Sequence, residues 1–225
     1  MQGTAADSGE ESYQIEKSVK FNSGDQSKLQ ITTPPKGNRR AWTYNLWVKL
    51  NGDNSSDKGW LFGGRKASGK YGSIGFKDNC LWFKNRISGG DNITDEIRTN
   101  AVFRDYSGFY CFTFIWDSAN AIAADRMRIY CNGERITSLA TEDYPAQNQE
   151  SVVNWDESNH TIGYDEDNNQ YGNAYIADPH FIDGLCLSPE AFGSQDDAGN
   201  WNPKEFALPA PNQGTTYSSG ASNTG

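Results

Sequence analysis

Eight residues, Phe109–Trp116 (FYCFTFIW), set the tightest limit on what this chain can become. Every position except Thr113 is apolar or aromatic. Neither face of a strand built from them can meet water, so the strand belongs at the centre of a sheet covered on both sides. The segment is far too short to cross a bilayer as a helix, which takes ~20 apolar residues, and no longer apolar run exists. The aromatic residues around it also recur at strand spacing. In Trp42–Leu50, counting by twos puts Tyr44, Leu46, Val48 and Leu50 on one face and turns Trp47 to the other.

Shorter strand signals fill the rest of the chain. Val19 and Phe21 alternate in Ser18–Asn22, as do Leu29 and Ile31. Trp60–Gly64, Tyr71–Lys77, Leu81 with Phe83, and Thr94–Thr99 follow, separated by Gly, Asp and Asn turn formers. Met127, Ile129 and Cys131 alternate before Asn132-Gly133. That dipeptide favours a type I′ turn because both central residues need φ > 0, so Arg135–Leu139 is the expected hairpin partner. Thr141–Ser158 reads as a long polar loop. Strand signal resumes at Thr161–Tyr164 and Tyr175–Ile182. Only Ser188–Phe192 looks helical, with Ser188 as N-cap and Pro189 at the first helical position. About a dozen short strands and one helical turn predict an all-β, two-sheet antiparallel β-sandwich.

Composition explains how so polar a chain can fold. Hydrophobic residues are only 36%, but seven Trp, eleven Tyr and eleven Phe make it 13% aromatic. A disordered chain of this polarity is aromatic-poor. A balance of 20 Lys+Arg against 29 Asp+Glu gives −9, which disfavours nucleic acid and anionic lipid as partners. Residues 1–12 are polar and lack the apolar stretch of a secretory signal, so they read as a flexible leader. Residues 13–207 read as one domain, and 208–225 as a Gly/Ser/Pro linker or the start of another module. Cys80, Cys111, Cys131 and Cys186 form no C-x-x-C pair. They read as reduced thiols, with a disulfide between neighbouring strands as the alternative.

Three phrases carry a resemblance: GNRRAWTYNLWVK (Gly37–Lys49), RIYCNGERIT (Arg128–Thr137) and IADPHFIDGLCLSPEAFG (Ile176–Gly193). Together they resemble the laminin-G-like, concanavalin A-like jelly-roll domain. More narrowly, with YQIEKSVKFN (Tyr13–Asn22), they are similar to the version found in structural proteins of marine and cyanobacterial tailed phages. The resemblance implies a sandwich of two curved sheets on a tail fibre, adhesin or capsid appendage. It implies other virion proteins and host-surface polysaccharide as partners, a trimeric or other homo-oligomeric fibre, and a place on the surface of the phage particle. It also implies that one calcium ion could sit at the sandwich rim.

Glucanases of such a sandwich need two carboxylates about 5 Å apart. Adjacent pairs such as Asp95-Glu96 would point to opposite faces of a strand. Asp165 with Asp167 is the one same-face pair, in a run that reads as loop, so a non-enzyme is expected and a glycan hydrolase is the alternative. For calcium, Asp165, Asp167 and Asn169 offer hard oxygens at alternate positions like the start of an EF-hand. The pattern then fails, with Gln170 at the glycine position and Ile176 at the bidentate glutamate position. Asn51–Asp57 is a second, weaker candidate. For glycan binding, Trp155, Tyr164 and Tyr171 stand in polar loops where a ring face can stay exposed. Trp60 and Trp82 sit in strands and read as core.

Overall fold

A computed structural model describes residues 13–32, 34–52, 58–87 and 93–208. Among the described residues, seventeen strands run in order: β1 (Val19–Phe21), β2 (Leu29–Ile31), β3 (Ala41–Leu50), β4 (Lys58–Ala67), β5 (Lys70–Lys77), β6 (Cys80–Ile87), β7 (Ile93–Val102), β8 (Tyr110–Asp117), β9 (Met127–Cys131), β10 (Glu134–Arg135), β11 (Leu139–Asp143), β12 (Asn159–Ile162), β13 (Tyr164–Asp165), β14 (Gln170–Tyr171), β15 (Ala174–Asp183), β16 (Gly193–Gln195) and β17 (Trp201–Pro203). They form a six-stranded sheet, β1-β15-β3-β8-β9-β10, and a seven-stranded sheet, β11-β7-β6-β5-β4-β12-β2. All pairings are antiparallel. The all-β sandwich expected from the sequence is the fold. The leader and linker segments, and residues 53–57 of the Asn51–Asp57 loop, lie outside the described residues.

The core is the aromatic interlayer. Trp42, Tyr44, Leu46, Val48 and Leu50 of β3 face Trp60, Ile74, Phe76, Leu81 and Phe83 of the other sheet. β8 sits between β3 and β9, and Cys111–Trp116 is buried on both faces, as its sequence demanded. Trp47 points the other way and packs with Cys111 and Ala177 on the outer face of the six-stranded sheet. Asn132 (φ 49°) and Gly133 (φ 82°) close the β9–β10 hairpin with the two positive-φ residues of a type I′ turn.

Three expectations need correction. The hairpin partner of β9 is only Glu134–Arg135. The chain then crosses to the seven-stranded sheet, where Leu139–Asp143 pairs with β7. Leu139, Ile136 and Tyr144 close that side of the sandwich against the core, and this burial outweighs extending the hairpin. Next, Thr141–Ser158 is not simply a polar loop. Besides β11, it drives Ser151, Val152, Val153 and Asn154 into the interlayer, all buried. Its polar atoms are satisfied there. Ser151 Oγ accepts from Trp42 Nε1 at 3.0 Å, Asn85 Oδ1 accepts from the Val152 amide at 2.8 Å, and His160 Nε2 accepts from the Asn154 amide at 2.9 Å. Glycines make the room: a Cβ on Gly72 would stand 2.8 Å from Val153 Cγ2. Finally, the Pro189–Ala191 helical turn is 3-10, the Ser188 side chain makes no cap bond, and two further 3-10 turns lie at Ser23–Asp25 and Ala123–Asp125.

All four cysteines are free. Cys131 pairs across strands with Phe112 rather than Cys111, so the two thiols project from opposite faces of the sheet. Burial pushes the Cys111 thiol up to about 11 and the Cys131 thiol to about 12.

Candidate functional site

On the outer face of the seven-stranded sheet, cross-strand pairing lines up three rows. One runs Asn159–Arg65–Tyr71–Arg86–Thr94 and the next Thr161–Gly63–Ser73–Lys84–Glu96–Asp143. The third runs Gly75–Trp82–Arg98–Thr141. Gly63, Ser73 and Gly75 leave a shallow trough among long side chains, because they add little or nothing above the backbone. Lys84 pairs with Glu96 at 3.3 Å and Arg98 with Asp78 at 3.1 Å. The Lys84 ammonium lies 5.9 Å from the Tyr71 centroid and 5.1 Å from that of Trp82. Trp82 was expected in the core. It is buried, but on this outer face beneath charged side chains.

The β13–β14 hairpin folds over one end of the trough and brings most of the sequence-predicted residues there. Tyr164 and Tyr171 pair directly across it and stack at 4.4 Å. Lys28 stands 4.5 Å over Tyr164. Tyr164 Oη donates to Asn169 Oδ1 at 3.0 Å, so Asn169 turns toward the tyrosine. Asp165 is only 2% exposed. Its carboxylate accepts the Asp167 amide at 3.0 Å and Asn168 Nδ2 at 2.8 Å, an Asx-type turn that holds the hairpin tip. Asp167 faces Arg65, with Nε to Oδ1 at 3.6 Å, and Glu166 reaches the same guanidinium at 3.8 Å. Partial burial, and next the neighbouring Asp165 charge, raise the Asp167 carboxyl above its usual range, and Arg65 and Arg86 oppose that shift. A small cavity of about 10 Å³ lies between Gly63, Ser73, Thr161 and these carboxylates, room for about one water molecule.

Trp155 lies elsewhere. Its ring carries the Arg39 guanidinium at 3.9 Å and the Lys66 ammonium at 3.8 Å. Its π surface is therefore engaged by two cations, while Tyr171 has a single stacked neighbour. Among the described residues, no group of three or more His, Cys, Asp or Glu gathers as a metal cluster.

Sequence reasoning missed Arg65, Tyr71 and Arg86. Their alternation was visible, but only the register shows that they share a row with the hairpin above them. Arg86 stands opposite Tyr71, and its Nε is buried without a hydrogen-bond acceptor.

The comparisons agree with this architecture. Residues 22–191 match the Concanavalin A-like lectin/glucanases superfamily. No curated protein matches the sequence. Among solved structures, the LG4-5 domains of the mouse laminin alpha1 chain superpose with a TM-score of 0.51 at 12% identity, over 84% of this chain and 46% of that one. The enzymatically active domain of tailspike protein 2 from bacteriophage CBA120 gives 0.51 at 10% identity, over 78% and 26%. NanB sialidase of Streptococcus pneumoniae gives 0.50 at 13% identity, over 80% and 29%. This chain spans less than half the length of each, and at these identities the likeness is one of fold. With 170 of its 225 residues matched, the chain belongs to the concanavalin A-like lectin/glucanases superfamily.

Proposed function

We propose that this chain is a non-catalytic carbohydrate-binding module of a phage virion structural protein, such as a tail fibre, adhesin or capsid appendage. The observation that carries the binding reading is the corner where the hairpin bearing the stacked Tyr164 and Tyr171 sets Glu166 and Asp167 against Arg65. A pyranose lays its CH face on an aromatic ring and its hydroxyls on planar polar groups beside it. Tyr171, backed by Tyr164, supplies the ring. Arg65, Arg86, Glu166 and Asp167 supply donors and acceptors along the trough edge. Asp165 is engaged by the hairpin's own amides, which argues against a working pair with Asp167 and against a hydrolase. The virion setting is supported by the phrases at Tyr13–Asn22 and Ile176–Gly193. It would place the module on the particle surface, beside other virion proteins, as part of a homo-oligomer.

A glycan array probed with wild type and Tyr171→Ala tests the binding reading. Loss of the ring should weaken the recognised glycan about fivefold or more, the ~1–3 kcal/mol of a central aromatic contact. Equal binding by both proteins would move the site elsewhere. No binding by the wild type would leave an architectural spacer. Release of reducing sugar from a bound glycan would overturn the non-catalytic assignment, and labelled antibody on intact particles would test the virion setting.

A further inference from the structure

The rows on the outer face of the seven-stranded sheet hold four cations, and three of them have carboxylate partners. Arg65 meets Glu166 and Asp167, Lys84 meets Glu96, and Arg98 meets Asp78. Arg86 is the exception. Among the described residues its guanidinium makes no hydrogen bond and no ion pair. Asp167 feels the Arg86 charge but makes its contact with Arg65. The other charges nearest Arg86 in the rows are cations: Lys84 two residues before it on the same face, and Arg65 beyond Tyr71.

The position is rigid. β6 lies inside the sheet between β5 and β7, and register fixes Arg86 between Tyr71 and Thr94. The side chain is half-buried, so it has given up part of its hydration with no counter-charge in return, which is unfavourable. Arg104 also lacks a partner, but it is exposed in the β7–β8 connection, where water serves it.

The geometry of the open donors narrows what could complete Arg86. Its Nε is closed to solvent and takes no part, whereas the two terminal nitrogens reach solvent with no protein acceptor. Two parallel N–H donors in a plane match the two oxygens of a carboxylate, approached end-on. A nucleic acid or a densely sulfated chain needs several unmatched cations, and these rows offer one in a chain of net charge −9. Arg65 lies two strand spacings from Arg86, roughly 10 Å, a span that a short oligosaccharide covers.

We propose that Arg86 makes this face selective for acidic glycans by taking the carboxylate of one sugar through its two terminal nitrogens. The inference rests on the reading of this face as a glycan-binding surface and names the class of sugar it takes. The carboxylate belongs to a uronic acid or to a sialic acid, which offer the same chemistry.

The test measures affinity by calorimetry for oligogalacturonate, oligomannuronate, hyaluronan oligosaccharides and α2,3-sialyllactose, each beside its carboxyl-reduced counterpart, with dextran sulfate as the sulfated probe. At least one acidic probe should bind, and its reduced form should bind weaker by about tenfold or more. The arm that responds identifies the source as uronic or sialic. Arg86→Gln should lower the acidic probe to the affinity of its reduced form. Arg86→Lys should fall between, because it keeps the charge and loses the fork, and Arg104→Gln should match wild type. Equal urea midpoints for Arg86→Gln and wild type would show that the loss is not unfolding. Equal affinity for acidic and reduced probes, an acidic preference that survives Arg86→Gln, or tighter binding of dextran sulfate than of every carboxylate would overturn the role of Arg86 and leave the glycan-binding reading standing. Binding of none of the probes, acidic or reduced, together with an empty glycan array, would overturn both.

Discussion

His160 should make this fold acid-labile in a window set by one imidazole. The ring is buried and stacks on Phe62 at 5.8 Å. Its Nε2 accepts the Asn154 amide, so only the neutral tautomer with the proton on Nδ1 keeps the plug Ser151–Asn154 in place. Burial drives its pKa from 6.5 down to about 4. The unfolded chain therefore binds a proton that the folded chain refuses between those values. This contribution to stability is complete above pH 6.5 and is lost as pH falls toward 4. At about 1.4 kcal/mol per pH unit, the whole span amounts to about 3 kcal/mol, and going from pH 7 to pH 5 removes about 2 kcal/mol. His160→Gln keeps an acceptor for the amide but does not titrate. Urea unfolding followed by tryptophan fluorescence at pH 7, 6 and 5 should show the gap between wild type and variant shrinking by about 2 kcal/mol. Carboxylates titrating in the same range cancel in that difference. A gap constant to within ~0.5 kcal/mol would refute the assignment of the acid response to His160.

Other outcomes follow from single contacts. Gly163→Ala should cost ~2–4 kcal/mol in chemical denaturation, because φ is +82° and the new Cβ would stand 2.0 Å from the Phe21 ring. Asn85→Ala should cost ~2–3 kcal/mol by orphaning the Val152 amide and a donor to the buried Asp95 carboxylate. Asp95→Asn should stay within ~1 kcal/mol of wild type at pH 7, since desolvation already raises that carboxyl and the neutral amide can still accept. Cys111 and Cys131 should resist iodoacetamide at pH 8 in the native protein and react on unfolding, read by mass spectrometry, because burial holds both thiols protonated. Melting should be the same in calcium and in EDTA to within ~1 °C, as the oxygens of Asp165 and Asn169 are held by protein donors; a larger rise with calcium would restore that hairpin as a metal site.

Much of this could be read in advance where one rule dominated. The run Phe109–Trp116 had no alternative to a doubly covered strand, Asn132-Gly133 forced a tight turn, and Trp42–Leu50 displayed its buried face by alternation. Trp155, Tyr164 and Tyr171 stand out in the sequence as loop aromatics, and the structure stacks the last two on each other. The readings that went astray fall where a polar stretch is buried by partners distant in sequence. Val152 and Val153 gave too faint an apolar signal to announce a plug, and its polar neighbours are satisfied by Trp42, Asn85 and His160. The sequence also gives no sign that Arg39 and Lys66 lie over the Trp155 ring.

By itself, the sequence determined a two-layer, all-β body with an aromatic interlayer, because period-two alternation and turn chemistry are local and leave few choices. Only the tertiary structure decided which polar residues share a surface. Arg65, Tyr71 and Arg86 meet through strand register, and the β13–β14 hairpin settles above them. Tyr13 and Ile15 likewise find their partners, Asp178 and the Trp47–Cys111–Ala177 cluster, on strands from other parts of the chain. Register and layer packing are set by contacts between segments far apart in sequence, and those contacts place the candidate binding surface on this fold.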